Sequence, residues 1–277
     1  MQIRGDGLFA WKIALDEQGL NHVADTNSAT DADEDIAYAL YQASLKWENK
    51  LYLDDSKKII SDIWRKEVVA RGGKEYLVSG AVQANGSDLL INPSYLAPHE
   101  YKLFAKLDPK HQWNKLTNDS YDLLNTLQTQ SSAGLLPNWT AIDPNGKVHS
   151  ASTLVGSADT YGYDAFRVAW RMNDDKKDPR ALAILKKLQE FYTSEWTTNK
   201  RIAAEYDQTG KPFSEFSDIA TDAGPIIALH SLNDPLANTI YKTDISKQFN
   251  GYGLYWGQMT SYYNQNWAWF ATYYLKK

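Results

Sequence analysis

The chain has no cysteine, so disulfide staples and thiolate metal sites are excluded, and redox chemistry carries no information about compartment. No apolar run approaches the length needed to span a bilayer, so no membrane partner is expected. The opening residues, Met-Gln-Ile-Arg-Gly-Asp-Gly, lack the apolar core of a signal peptide. Basic residues are not in excess: 29 Lys and Arg face 34 Asp and Glu, a formal charge of −5, which argues against nucleic acid as a partner. The five histidines (His22, His99, His111, His149 and His230) fall at no metal-ligand spacing, so neither a metal nor another cofactor is expected. Stretches with strand character are few and short.

Aromatic residues, by contrast, are plentiful. Ten Trp, eighteen Tyr and eight Phe stand in 277 residues. Tyr and Trp join an apolar face to a polar tip. They suit ligands that are apolar on the face and wet at the edge, and a pyranose ring is one. A helical core built from large side chains accounts for the same count. With 43% hydrophobic and 23% charged residues, the chain can bury a normal core.

The stretch from Ala29 to Trp47 is the clearest element. A polar, acidic turn leads into a helix on which Ile36, Leu40, Ala43 and Trp47 share one face. Ser28, Thr30 or Asp31 is expected to cap it, and Asp31 and Asp33 then lie at the positive end of the helix dipole. Further helices are expected at Asp54–Arg71, stopped by Gly72-Gly73, at His99–Leu107 after Pro98, and after a cap at Asn118. Others follow from Tyr161 to Arg171, Pro179–Trp196, Phe216–Leu232, Asn233–Phe249 and Tyr262–Leu275. Gly134-Leu-Leu-Pro-Asn-Trp139 and Asp143-Pro-Asn-Gly146 read as loop and turn. Three helices open alike, at Ala-Thr-Asp31-Ala, Tyr-Gly-Tyr-Asp164-Ala and Ala-Thr-Asp222-Ala. Such a weak repeat suits stacked helical hairpins that gather their inner N-termini on one face. Asp222 reads as a helix cap and Asp33 as a structural carboxylate within its turn.

Ala29-Thr-Asp-Ala-Asp-x-x-Ile-Ala-x-Ala-Leu, continued by Ala43-x-x-x-Trp47, resembles the signature of glycoside hydrolase family 8. Asn92-Pro-Ser-Tyr95, Tyr161-Gly-Tyr-Asp164-Ala-Phe-Arg167 and the C-terminal Tyr-Tyr-x-Gln265 fit the same family, in its order. The resemblance covers essentially the whole chain. It implies one all-α domain over residues 1–277, an (α/α)6 toroid with about nine of its twelve helices, acting on β-1,4-linked polysaccharide by inversion. It further implies that Asp164 is the general base and that Asp31 contacts and helps distort the sugar at the cleavage point. Tyr163 and Arg167 would orient the base. Trp11 would stack on the substrate, Tyr95 would lie near the attacking water, and Tyr262 would also contact substrate. An Asp base resembles the cellulase and xylanase branch more than the chitosanase one. Asp31 and Asp164 would then meet on opposite walls of one aromatic-lined cleft, and the protein would be extracellular.

One motif of the family does not occur. Its general acid is a glutamate in Ser-Glu-Gly, and this tripeptide is absent; Ser214-Glu215-Phe is neither that motif nor in its place. The expectation is therefore a chain that lacks the acid-bearing N-terminal segment, or that a second polypeptide completes. General acid help is typically worth ~10²–10⁴-fold, so weak turnover is expected of the chain alone. A non-catalytic carbohydrate-binding protein using the same aromatic cleft is the alternative. A toroid of the isoprenoid-transferase kind is disfavoured, because thiolate ligands are absent and Asp31, Asp33 and Asp35 form the one acidic cluster.

Overall fold

In the computed structural model, which describes residues 4–276, nine α-helices stand among the described residues, interspersed with short antiparallel strands. The chain forms two compact units. One is built from the chain up to Ser120 together with Thr140–His149; the other comprises Tyr121–Trp139 and the chain from Ser150 onward.

The first unit opens with the hairpin β1 (Lys12–Leu15) and β2 (Asn21–Asp25). Helices α1 (Thr30–Trp47) and α2 (Lys50–Glu67) follow as a packed pair. Glu48, in the left-handed region at φ 50°, ends α1, and the Asn49 side chain caps α2 by accepting the Leu51 N–H. Helix α2 buries Ile59, Ile60 and Ile63. It starts four residues before the expected Asp54 and stops before Arg71. Val68–Arg71 leaves the helix as strand β3 and pairs with β4 (Lys74–Leu77). The cause is local: Gly72 and Gly73 adopt φ 54° and 79°, the positive values that a two-residue hairpin turn requires, and Val68-Val69 favours a strand. Strands β5 (Leu89–Ile91), β6 (Thr140–Ile142) and β7 (Val148–Ser150) make a three-stranded sheet. Helix α3 (Pro98–Leu107) begins on Pro98 as expected, whereas α4 (Trp113–Gln130) starts ahead of Asn118, which lies inside the helix and is not its cap.

Helix α1 departs from its expected packing. Its N-cap is Ala29, with no side-chain capping bond. The expected caps are engaged elsewhere: Ser28 Oγ donates to Glu67 at 2.5 Å, Thr30 Oγ1 donates to the Val78 carbonyl at 2.7 Å, and Asp31 Oδ1 accepts from its neighbour Ala32 at 2.9 Å. The buried face is Thr30, Asp33, Glu34, Ala37 and Ser44. The apolar stripe is on the other side. Ile36, Leu40, Ala43 and Trp47, with Tyr52, line a shallow groove of about 700 Å³, and Trp47 is 62% exposed. The small and polar face wins the interior because α2 approaches closely; the Ser56 hydroxyl donates to the Ala37 carbonyl at 2.7 Å.

The second unit is organised around α7 (Ile219–Ser231), of which every residue but His230 is buried. Helices α5 (Val168–Asp174), α6 (Pro179–Asn199) and α9 (Tyr262–Lys276) pack against it. Gly224 makes one contact possible: a Cβ there would lie 2.9 Å from Phe166 Cβ and 3.1 Å from the Phe166 carbonyl. The helix expected over Asn233–Phe249 is broken into α8 (Leu236–Ile240), a π turn at Tyr241–Ile245 and a 3-10 turn at Ser246–Gln248. Thr239, Ile240, Thr243 and Ile245 are β-branched and Asp244 competes for backbone bonds, so a regular helix is poorly favoured there. Strands β8 (Phe249–Asn250) and β9 (Tyr255–Trp256) then form a small hairpin.

Candidate active site

Asp164 directly precedes the 3-10 turn Ala165–Arg167 that leads into α5. The helix expected from Tyr161 thus begins later, and Asp164 lies at its threshold. Its two carboxylate oxygens have different donors. Arg167 reaches Oδ1 at 2.5 Å, and its Nε also donates to the Asp164 carbonyl at 3.2 Å. The indole N–H of Trp139 donates to Oδ2 at 3.0 Å. The carboxylate remains 31% exposed and the guanidinium side chain 14%. An ionised carboxylate has about four lone-pair sites, so two donors leave room for a water.

Tyr163 directly precedes Asp164 in the chain, and its hydroxyl faces Asp218. Burial, then the nearby Asp218 carboxylate, push its phenol up to about 12, so it stays a neutral donor at physiological pH. Its carbonyl accepts the Tyr263 hydroxyl at 2.6 Å, which ties the turn to α9. Tyr262, expected from the sequence to contact substrate, is 81% exposed and does not make this bond. Which of two adjacent helical tyrosines faces inward depends on the rotation of α9, and the pattern alone does not fix it. Asn138 and Trp139 were legible only as a loop, because no periodicity marks them. Asp222 is not the cap of α7. Asp218 is, accepting the Ala220 N–H at 2.9 Å. Asp222 is buried in the first turn, where neither of its oxygens finds a hydrogen bond among the described residues, and burial, then the charge of Asp244, hold its carboxyl well above the usual range.

In the first unit, Asp31 is half-buried at the start of α1. Trp11 precedes β1 and is 54% exposed, with the Lys12 ammonium 5.6 Å from its ring centroid. Tyr95 ends the short turn Pro93–Tyr95, which Asn92 caps by accepting from Ser94 N–H at 3.0 Å and Oγ at 2.7 Å. Asp33, expected to hydrogen-bond within its own turn, is fully buried and its Oδ1 instead accepts the N–H of Phe9, distant in the chain, at 2.9 Å. Burial pushes its carboxyl up to about 7. Glu67, equally buried, is pushed up to about 8 by burial and then by the Asp33 charge. Among the described residues no three His, Asp or Glu side chains are grouped so as to hold a metal ion. Among the described residues no helix is long and apolar enough to cross a membrane.

This helical fold is shared with proteins of solved structure. The endo-1,4-D-glucanase of Vibrio fischeri ES114 superposes with a TM-score of 0.82 at 22% identity, over 98% of this chain and 76% of that one. A GH8 xylobiose complex from Teredinibacter turnerae gives 0.70 at 20% identity, over 97% and 70%. The profile of glycosyl hydrolases family 8 matches residues 1–269, and the chain belongs to that family. Among curated relatives, Endoglucanase A of Acetivibrio thermocellus is 28% identical over 262 residues, which cover 91% of this chain. The aligned region spans 52% of that relative, about half its length.

Proposed function

We propose that this chain bears the general-base half of an inverting, endo-acting β-1,4-glycan hydrolase site, with Asp164 as the base. The observation that carries the reading is the Asp164 carboxylate held at both oxygens by Arg167 and Trp139 while staying 31% exposed. Inversion requires an ionised carboxylate that takes a proton from a water attacking the sugar, and a second, protonated carboxyl about 6.5–9.5 Å away for the leaving oxygen. An oriented, solvent-accessible and charge-paired aspartate suits the first role. Asp31 is the proposed contact to the sugar at the cleavage point; Trp11, Tyr95, Tyr163, Arg167 and Tyr262 are the proposed substrate-side residues. Cellulose, mixed-linkage glucan and xylan all offer the β-1,4 linkage and the flat pyranose faces that aromatic residues stack on. Secretion would bring such a protein to its polymeric substrate.

The tripeptide Ser-Glu-Gly, which carries the family's general acid, does not occur in these 277 residues. The isolated chain is therefore proposed to turn over natural glycans weakly and to need an added acid-bearing segment for full activity. Titration with cello- and xylo-oligosaccharides, followed by tryptophan fluorescence, beside a reducing-sugar assay tests this. Sugar release that disappears in Asp164→Asn while binding persists supports the hydrolase. Binding without release, from the chain alone and from β-cellobiosyl fluoride, whose leaving group departs without a proton, leaves a carbohydrate-binding protein instead.

A further inference from the structure

An aspartate at the threshold of a helix ordinarily folds its carboxylate back onto the free N–H groups of the first turn. Asp164 does not; it makes no capping bond. The reason is that every N–H of that turn is already taken. Those of Asp164 and Ala165 donate to Asn138 Oδ1, at 3.2 and 2.9 Å. Those of Phe166 and Arg167 donate to the carbonyls of Gly162 and Asp164, at 3.1 and 3.2 Å. Asn138 thus caps the turn from outside it. Its amide has only one workable orientation, because Nδ2 donates to the Ser157 carbonyl at 3.2 Å and to Thr160 Oγ1 at 2.7 Å. The backbone N–H groups of Asn138 and Trp139 donate to the Thr160 and Ala158 carbonyls, at 2.7 and 3.0 Å, so the Asn-Trp pair is pinned as a short ladder against the chain that delivers Asp164.

We propose that Asn138 and Trp139 are positioning residues for the base: Asn138 caps the turn in place of Asp164, and Trp139 holds the carboxylate so freed at Oδ2, opposite Arg167. The inference rests on the reading of Asp164 as the base. Asn138 touches only the backbone of the turn, and Trp139 touches the carboxylate only as a hydrogen-bond donor to Oδ2. Asn138 decides where the carboxylate is free to go, and Trp139 decides where it stays.

Three variants and three kinds of measurement test this. Trp139→Phe keeps an aromatic ring, though a smaller one than the indole, and removes the N–H donor to Asp164. With β-cellobiosyl fluoride its kcat is expected to fall about tenfold while KM stays within about twofold, the signature of a misplaced base and not of lost binding. Asn138→Ala is expected to lower kcat by about a hundredfold, and its crystal structure is expected to show the Asp164 carboxylate turned onto the N–H groups of its own turn. A third arm is independent of turnover. The indole N–H resonance of Trp139, assigned by its loss in Trp139→Phe, is expected to move in Asp164→Asn. A Trp139 resonance unmoved by Asp164→Asn, or an Asn138→Ala structure that keeps the Trp139 and Arg167 bonds, overturns the proposal even if the wild-type chain releases no fluoride. Fluoride release absent from the wild type, with the resonance and structural arms as expected, overturns the hydrolase reading and leaves the clamp standing.

Discussion

Asp33 and Glu67 illustrate how one buried residue ties the fold to pH. Both carboxyls are fully buried, and Asp33 Oδ2 and Glu67 Oε2 find no hydrogen bond among the described residues. Burial raises them to about 7 and about 8, against 3.8 and 4.5 for the free groups. The folded state therefore holds protons that the unfolded state has lost. The stability these groups permit is full below about pH 4, declines as the unfolded chain ionises, and is lost once pH passes 7 and then 8. Each pH unit inside that window costs about 1.4 kcal/mol per group. Chemical denaturation of the wild type is expected to show stability falling from pH 5 to pH 8. Asp33→Asn keeps the acceptor for Phe9 and removes the charge, so its slope is expected to be shallower; equal slopes would show that Asp33 does not hold its proton. A second residue-scale expectation concerns Arg167, which binds both the Asp164 carbonyl and its carboxylate. Lysine cannot do both, so Arg167→Lys is expected to lower kcat about tenfold or more in the fluoride assay, without loss of secondary structure by circular dichroism.

At the scale of the element, α1 and α7 make opposite demands. Helix α1 turns its apolar stripe outward, so Leu40→Ser is expected to change stability by less than about 1 kcal/mol, whereas Ile60→Ala on α2 is expected to cost about 2–5 kcal/mol. A large loss in Leu40→Ser, measured by urea titration, would mean that the stripe is covered in solution. Helix α7 admits no added atoms beside Phe166. Gly224→Ala is expected to destabilise by about 1–3 kcal/mol and to disturb the turn after Asp164, since a Cβ would meet Phe166 Cβ at 2.9 Å. These elements also mark how far the sequence could be read. Helix type and order were legible, because α2, α3, α6 and α9 carry apolar periodicity or Pro at a start, whereas Gly72-Gly73 turns a hairpin and does not end α2. The buried face of α1 was not legible: periodicity shows that a helix has two faces, not which one a neighbour approaches closely enough to exclude large side chains. Caps at Ser28, Thr30 and Asp222 were misassigned for a related reason. A hydroxyl or carboxylate near a helix start has several acceptors or donors in reach, and tertiary partners such as Glu67 and Val78 take precedence. Asp164 and Arg167 were legible through their motif and their three-residue spacing. Trp139 and Asn138 were not, since their roles arise from contacts across a loop some 25 residues away in the chain.

At the scale of the whole molecule, membership of glycosyl hydrolases family 8 over residues 1–269 is the context in which Asp164 is proposed to act as a base. The base side of that reaction is separable from the acid side by choice of leaving group. β-Cellobiosyl fluoride releases fluoride without being protonated, so a positioned base and an oriented water suffice. In the proposed reaction the water oxygen would attack the anomeric carbon from the face opposite the C–F bond, Asp164 would take the proton, and fluoride would depart. The most direct measurement is the anomeric configuration of the cellobiose first released, followed by proton NMR before mutarotation, in the wild type and in Asp164→Asn. The account requires α-cellobiose from the wild type and loss of that signal in the variant. β-Cellobiose, or release that survives Asp164→Asn unchanged, would contradict it.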